Sequence, residues 1–301
     1  MKNISGEKVI YNFSYDMEPI AKISPGETIT IETNDCFFQQ IFSEDQVLNE
    51  IDYDRLNPAT GPIYVEGAEE GDLLQVKILS IDVKSKGVAA VVPGEGVLGK
   101  KVKNPIIKVI NIDKNYAYFN DIKIPIDPMI GVIGVAPGKD DGTWATDSPW
   151  KHGGNMDTTD IKAGSTLYLP IRKEGGLLAL GDCHAIMGDG EICFTGLEVP
   201  ANVTLEINLI KNKPIIWPMV ETDTHTMIIT SADTVDEAIY EATDRAVSFI
   251  EDSLNLTWEE AYMLTSLTVD IKISQLVDPK ITVRAAIPKH ILSTKKLIES
   301  I

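Results

Sequence analysis

Residues 203 to 209 read Val203-Thr204-Leu205-Glu206-Ile207-Asn208-Leu209, apolar and polar side chains in strict alternation. Successive side chains of an extended chain point to opposite faces, so this run predicts a strand with one face buried. Working outward, a turn glycine feeding an alternating run recurs at 25 to 31, 70 to 76 and 163 to 169, around Gly26, Gly71 and Gly164. Further extended runs are expected at 88 to 92, 106 to 111, 122 to 126 and 192 to 199. Strands this short and frequent, with little helix between them, predict a β-sandwich or barrel-like body over residues 1–220. After Trp217-Pro218 the texture changes. The pairs Thr234/Glu237 and Thr257/Glu260 have capping-box spacing, and the first opens a helix with Ala238, Ala242, Ala246 and Ile250 on one stripe. The second predicts a helix through about Ser266. Strand-like runs at 226 to 230 and 281 to 287 flank these helices, so residues 221–301 are expected to form an α+β subdomain packed on the body. The fold class is α+β and β-rich.

The chain has 301 residues and a formal net charge of -18. Nucleic acid and anionic lipid both require a basic surface, so neither is an expected partner. Three cysteines, Cys36, Cys183 and Cys193, have no paired motif and predict no disulfide framework. The opening residues 1 to 8 carry no apolar signal-peptide core, and no apolar run reaches the roughly 18 residues of a membrane span. A soluble, cytoplasmic protein is expected. Gly94 to Gly99 satisfies G-x-G-x-x-G, but a strand-like run follows where a dinucleotide site needs a helix. There is no Walker A loop, no G-x-S-x-G elbow and no H-E-x-x-H.

Chemistry concentrates in two glycine-rich stretches, His152-Gly153-Gly154-Asn155-Met156-Asp157 and Gly181-Asp182-Cys183-His184-Ala185-Ile186-Met187-Gly188-Asp189-Gly190-Glu191. Asn155 with Asp157, Asp182 with His184, and Asp189 with Glu191 stand at i, i+2. In extended chain each pair presents two groups to one point in space. Asp182 and His184, helped by Asp157 and Asn155 and with Asp35 at a strand end as a further candidate, are expected to hold a divalent ion. Zinc suits an imidazole ligand and calcium is the alternative. Such an ion activates a water for attack on a carbonyl carbon. Glu191 is the expected general base and then acid, with Asp189 orienting it. Backbone amides around Gly153-Gly154 or Gly188 to Gly190 are candidates for the oxyanion. Met156, Met187 and Trp150 are expected to line a small, partly apolar pocket. Cys183, between Asp182 and His184, points to the opposite face and reads as core. A non-catalytic β-sandwich with a structural calcium is a rival reading, disfavoured by His184. A metal-dependent decarboxylase or deaminase is another, disfavoured by only four, widely spaced histidines.

The two stretches, with Asn57-Pro58-Ala59-Thr60-Gly61-Pro62, Gly131 to Pro137 and Ile273-Ser274-Gln275-Leu276-Val277-Asp278, run in an order that resembles the acetamidase/formamidase family in its shorter bacterial and archaeal branch. The resemblance covers most of the chain. It implies hydrolysis of the C-N bond of a short aliphatic amide, such as acetamide or formamide, to carboxylate and ammonia. It further implies a β-rich fold with an α+β segment, a homo-oligomer, expected to be a dimer, and a divalent metal.

Overall fold

The computed structural model describes residues 2–46 and 48–301. Its larger sheet has nine strands in the order Lys2–Ile4, Thr28–Thr33, Ala201–Ile210, Leu73–Val83, Thr166–Pro170, Met219–Glu221, His225–Ala232, Ile281–Pro288 and Asp270–Gln275. The alternating run of 203 to 209 is the third of these, paired antiparallel to Thr28–Thr33 on one side and Leu73–Val83 on the other. Val203, Leu205 and Ile207 are buried while Thr204, Glu206 and Asn208 are half-buried, as the pattern requires. A second sheet runs Gly153–Asn155, Met129–Gly134, Leu178–His184, Ala59–Val65 and Val9–Ile10, with Ala21–Ile23 parallel to Ala59–Val65. Ile29, Ile31, Leu74 and Val76 of the first sheet meet Ile63, Ile130, Ile133, Leu178 and Leu180 of the second in one buried core. The body is therefore a sandwich. Each such fully buried aliphatic side chain stabilises the fold by about 1.5–3 kcal/mol relative to exposure.

The opposite face of the large sheet carries helix α1 (Val235–Leu254), followed by α2 (Trp258–Thr268) and the short α3 (Thr294–Ser300). Strand residues divide between the two faces by parity. Met227, Ile229 and Ala286 face the sandwich core, whereas Ile228, Ala285 and Ile287 pack under Ala238, Ala242, Ala246 and Ile250 of α1. Met219–Glu221 pairs with Thr166–Pro170 and with His225–Ala232, so the sheet crosses residue 220 without a break. A four-stranded meander, Lys86–Val91, Ile106–Ile112, Tyr116–Phe119 and Ile122–Pro125, completes the body. Among the described residues no helix is long and apolar enough to cross a membrane.

Some local expectations change. The run 192 to 199 is not a strand; the amide of Phe194 bonds the carbonyl of Glu191 in a turn, Phe194 has φ +98°, and only Glu198 forms bridges, to Val88 and His184. Leu197 and Val199 still pack into a core cluster with Ile110, Ile112 and Ala185, whereas Ile192 is exposed in the turn. Thr257/Glu260 forms a complete capping box. At Thr234/Glu237 the Thr hydroxyl accepts the Glu237 amide but also bonds its carboxylate, so the reciprocal bond to the Thr234 amide is absent.

Candidate functional site

His184 ends the strand Leu178–His184, in the middle of the second sheet, and four buried carboxylates gather near it, with half-buried Asp278 beside them. Its Nε2 lies 3.1 Å from Glu198, 3.5 Å from Asp182, and 3.9 Å from each of Asp157 and Glu191. Asp278 joins from the C-terminal third, where its Oδ1 accepts a bond of 3.2 Å from Asn155 Nδ2. Gln275 aims that residue by accepting the amides of Val277 and Asp278 on its side-chain oxygen. Asp157, Asp182 and Glu191 have φ of +40°, +51° and +43°, left-handed conformations that cost non-glycine residues free energy and collect at functional sites. Two glycines make room. A Cβ on Gly131 would collide with the Asp157 carboxylate and the Asp182 backbone, and one on Gly196 with the His184 ring.

The electrostatics of the cluster are unbalanced. Burial opposes charge on Asp182 and His184, yet the imidazole 3.5 Å from Asp182 outweighs it for that acid, whose pKa falls. Glu198 and Asp182 together raise that of His184 well above the usual range. For Asp157, Glu191 and Glu198 the pull of His184 does not outweigh burial. Burial and the charge of Asp182 push Asp157 up to about 7, and burial takes Glu198 to about 8. Glu191 and Asp278 rise well above the ordinary carboxylate range through burial and through Asp157. Many of their atoms have no hydrogen-bond partner among the described residues: both oxygens of Asp157, both ring nitrogens of His184, and one oxygen each of Asp182, Glu198, Asp278 and Asn155. Buried polar atoms are nearly always paired, because leaving one unmet costs about 1–3 kcal/mol. A cation fits this donor set. Asp157, His184 and Glu191 offer ligand atoms within 4.8 Å of one another, and so do Cys36, Asp182 and Glu198.

The cluster forms the floor of a cavity of about 710 Å³, reached by Asn155, Asp182, Glu191, Glu198 and Asp278. Its walls come from Phe37, Leu48, Ile51, Leu56, Val92 and Phe194. Of the residues singled out in sequence, Asp157, Asn155, Asp182, His184 and Glu191 converge here. Asp35 lies close by, with a pKa raised to about 6 by burial, but its Oδ1 accepts the Gln39 amide at 2.8 Å, which ties it into its own turn. Asp189 turns away from Glu191 and pairs with both oxygens to Arg284 Nη2 at 2.8 Å. The expected pocket wall is also corrected. Met156 is fully buried in the sandwich core, and Trp150 stacks on Trp144 and packs edge-on against Trp217; neither lines the cavity. Met187 is half-buried in the turn after His184 and does not line it either. The amides of Gly153 and Gly190 are engaged by the carbonyls of Trp150 and Ser274, which removes them as oxyanion donors, and Gly154 pairs in the sheet with Ile133.

Sequence reasoning missed Glu198, Asp278 and Cys36. Glu198 stands as a lone acid in the apolar run Leu197-Glu198-Val199, and a buried charge in such a run is the signal that could have found it. His152 is buried against Phe13 and Trp144, its ring nitrogens unpartnered among the described residues and its pKa lowered by burial to about 3. Cys183 is core, its thiol raised to about 12 by burial, so thiolate chemistry at this position is closed.

The fold and the site together define a β-sandwich protein with a buried carboxylate and imidazole centre at the base of a deep cavity. The chain belongs to the acetamidase/formamidase family, whose model matches residues 3–143 and 141–294. It is similar to the crystal structure of an acetamidase from Bacillus halodurans at 44% identity, with TM-score 0.93 over 96% of this chain and 97% of that one. It is likewise similar to a predicted acetamidase/formamidase from Thermoanaerobacter tengcongensis, at 42% identity and TM-score 0.95 over 98% of each chain. The formamidase of Methylophilus methylotrophus is 27% identical over 255 residues, 65% of this chain. The chain spans 61% to 64% of the length of the curated relatives it matches.

Proposed function

We propose that the protein hydrolyses the C-N bond of a carboxamide, releasing carboxylate and ammonia, with acetamide and formamide the smallest substrates. The observation that carries this reading is the convergence of buried Asp157, Asp182, Glu191 and Glu198, with half-buried Asp278, at the floor of the cavity near His184, where oxygens of Asp157, Asp182, Glu198 and Asp278 have no partner among the described residues. Asp157, Asp182, His184 and Glu198 are the residues we assign to a divalent ion, with Cys36 beside them. When bound, that ion supplies Lewis-acid activation of water and carbonyl. Zinc is favoured over calcium because imidazole and thiol are poor ligands for a hard cation.

The chain's own groups supply the rest. Glu191 lines the cavity, and burial beside Asp157 holds its proton affinity well above that of an exposed glutamate. A carboxyl so tuned takes a proton from the attacking water and returns it to the departing ammonia near neutral pH. Asn155 and Asp278, bonded to each other, fix the cavity side of the cluster. Glu198 stands 3.1 Å from His184 Nε2, the ring nitrogen that also faces Asp157, Asp182 and Glu191. We also propose a homodimer in the cytoplasm. The exposed strip Trp258, Tyr262, Met263 and Leu267 on α2 supports the first, and three free cysteines fit the second. Ammonia release from acetamide and formamide, measured before and after chelator treatment with metal analysis of the same samples, tests the central claim. Full activity in thoroughly stripped protein would remove it.

A further inference from the structure

The cavity is far larger than the smallest amides need. At roughly 30 Å³ for each water-sized group, acetamide fills on the order of 100 Å³, whereas the cavity holds about 710 Å³. Volumes of about 300–1,000 Å³ are those that enclose drug-sized ligands. The excess space has a continuous apolar side, facing a polar one formed by Tyr11, Asn12, Asn57, Thr146 and Thr195. Above the acid cluster the wall is built by Phe37, Leu48, Ile51, Leu56 and Phe194, and Leu48 and Ile51 belong to a hydrophobic cluster that buries this part of the chain against Val88 and Ala90. At the mouth stand Asp54, Glu95 and Asp147, all exposed, and no lysine or arginine lines the cavity among the described residues. Every formal charge on its surface is negative.

We propose that the preferred substrate is a primary amide carrying a bulky apolar acyl body and no negative charge. The amide group reaches down to Glu191 and the His184 cluster, and the acyl body lies against Phe37, Leu48, Ile51, Leu56 and Phe194. This rests on the amide-hydrolase reading and deepens it. Burial of apolar surface favours the larger substrate by roughly fourfold per enclosed methylene. A carboxylate on the acyl chain would lie beside Asp54, Glu95 and Asp147 at the mouth with no cationic side chain to meet it, so the anionic amide is repelled.

The test measures ammonia release by the full-length protein from acetamide, hexanamide, phenylacetamide and the monoamide of succinic acid. The expected result is kcat/KM at least 100-fold higher for hexanamide and phenylacetamide than for acetamide, with the succinic monoamide lowest. L56W, which fills the middle of the apolar wall, should lower the ratio of phenylacetamide to acetamide at least tenfold. If that variant does not fold, E95K at the exposed mouth serves, raising the ratio of succinic monoamide to butyramide several-fold. Hydrolysis with acetamide preferred over both larger amides overturns the inference and leaves amide hydrolysis standing. A ratio unmoved by L56W in folded protein overturns it too. No ammonia from any of these amides, with metal content verified, overturns both readings.

Discussion

Two buried polar networks lie side by side in this molecule, and they are settled in opposite ways. Around Arg284, which is 1% exposed, every arm of the guanidinium has a partner: Asp160 on Nε, the carbonyl of Ile273 and the hydroxyl of Ser274 on Nη1, and Asp189 with Thr159 on Nη2. Around His184 the same residue types are present, yet the acids outnumber the single imidazole and leave oxygens unpaired. The first network is complete within the chain and acts as a rivet between the 159–160 turn, the 188–190 turn and the strand Ile281–Pro288. The second is left incomplete by the chain's own groups. Polar burial alone therefore does not mark a functional centre; the unmet valence does.

The contrast can be broken most directly at its centre. H184A and D182A should each lose the bound ion and at least 1,000-fold in amide turnover while remaining folded, with elemental analysis and circular dichroism as the checks. Retention of stoichiometric metal in H184A would place the ion elsewhere. E191Q should keep the metal and lose turnover by roughly 100-fold or more, the usual share of general acid/base help. If it loses metal instead, Glu191 is a ligand and the proton-transfer role passes to another acid.

Stability probes separate the networks in a different way. R284M should destabilise the protein by about 3 kcal/mol in denaturant titration, because it strands Asp160, Asp189 and Ser274 together. Its metal content per folded molecule should be unchanged. For the His184 cluster the variable is pH. Asp157 rises from 3.8 to about 7 and Glu198 from 4.5 to about 8 in the fold, so both bind protons more tightly when native than when unfolded. Their contribution is fully present below about pH 4 and is lost as pH rises through 7 and 8. Metal-stripped protein should thus lose thermal stability from pH 5 to pH 8, by about 5 °C or more, and saturating zinc should restore it at pH 8. A flat profile in stripped protein would mean the acids are paired by something else. The smallest effect is expected for D189N. It weakens one half-exposed partner of Arg284, so it should cost about 1 kcal/mol of stability and leave kcat within about threefold.

Asp189 shows why the site was only partly legible in the sequence. The i, i+2 rule grouped it with Glu191, but that rule holds in extended chain, and Glu191 sits in a turn at φ +43°. Asp182 and His184 do come together, at the end of the strand Leu178–His184 with Cys183 turned into the core between them, although Asp182 itself stands at φ +51°. Periodicity gave the sandwich body and the α1 stripe, since burial on a regular element leaves a period in the sequence. Glu198 and Asp278 leave no such trace. One arrives by an isolated bridge to His184 and the other by a loop more than a hundred residues after Asn155, and only tertiary pairing makes them neighbours. The cavity was misjudged likewise, because Phe37, Leu48 and Ile51 come from a segment of turns and short 3-10 helices without any period.

The large sheet's passage through residue 220 limits how this chain can be divided. A cut there would strip Met219–Glu221 from between Thr166–Pro170 and His225–Ala232, baring two ladders of unpaired amides and carbonyls flanked by apolar side chains. Bare ladders of that kind recruit other chains and aggregate. The halves would also part Asp278 from Asn155. A nick at this point should therefore yield insoluble fragments, and co-expressed halves should become soluble only by finding each other and closing the seam.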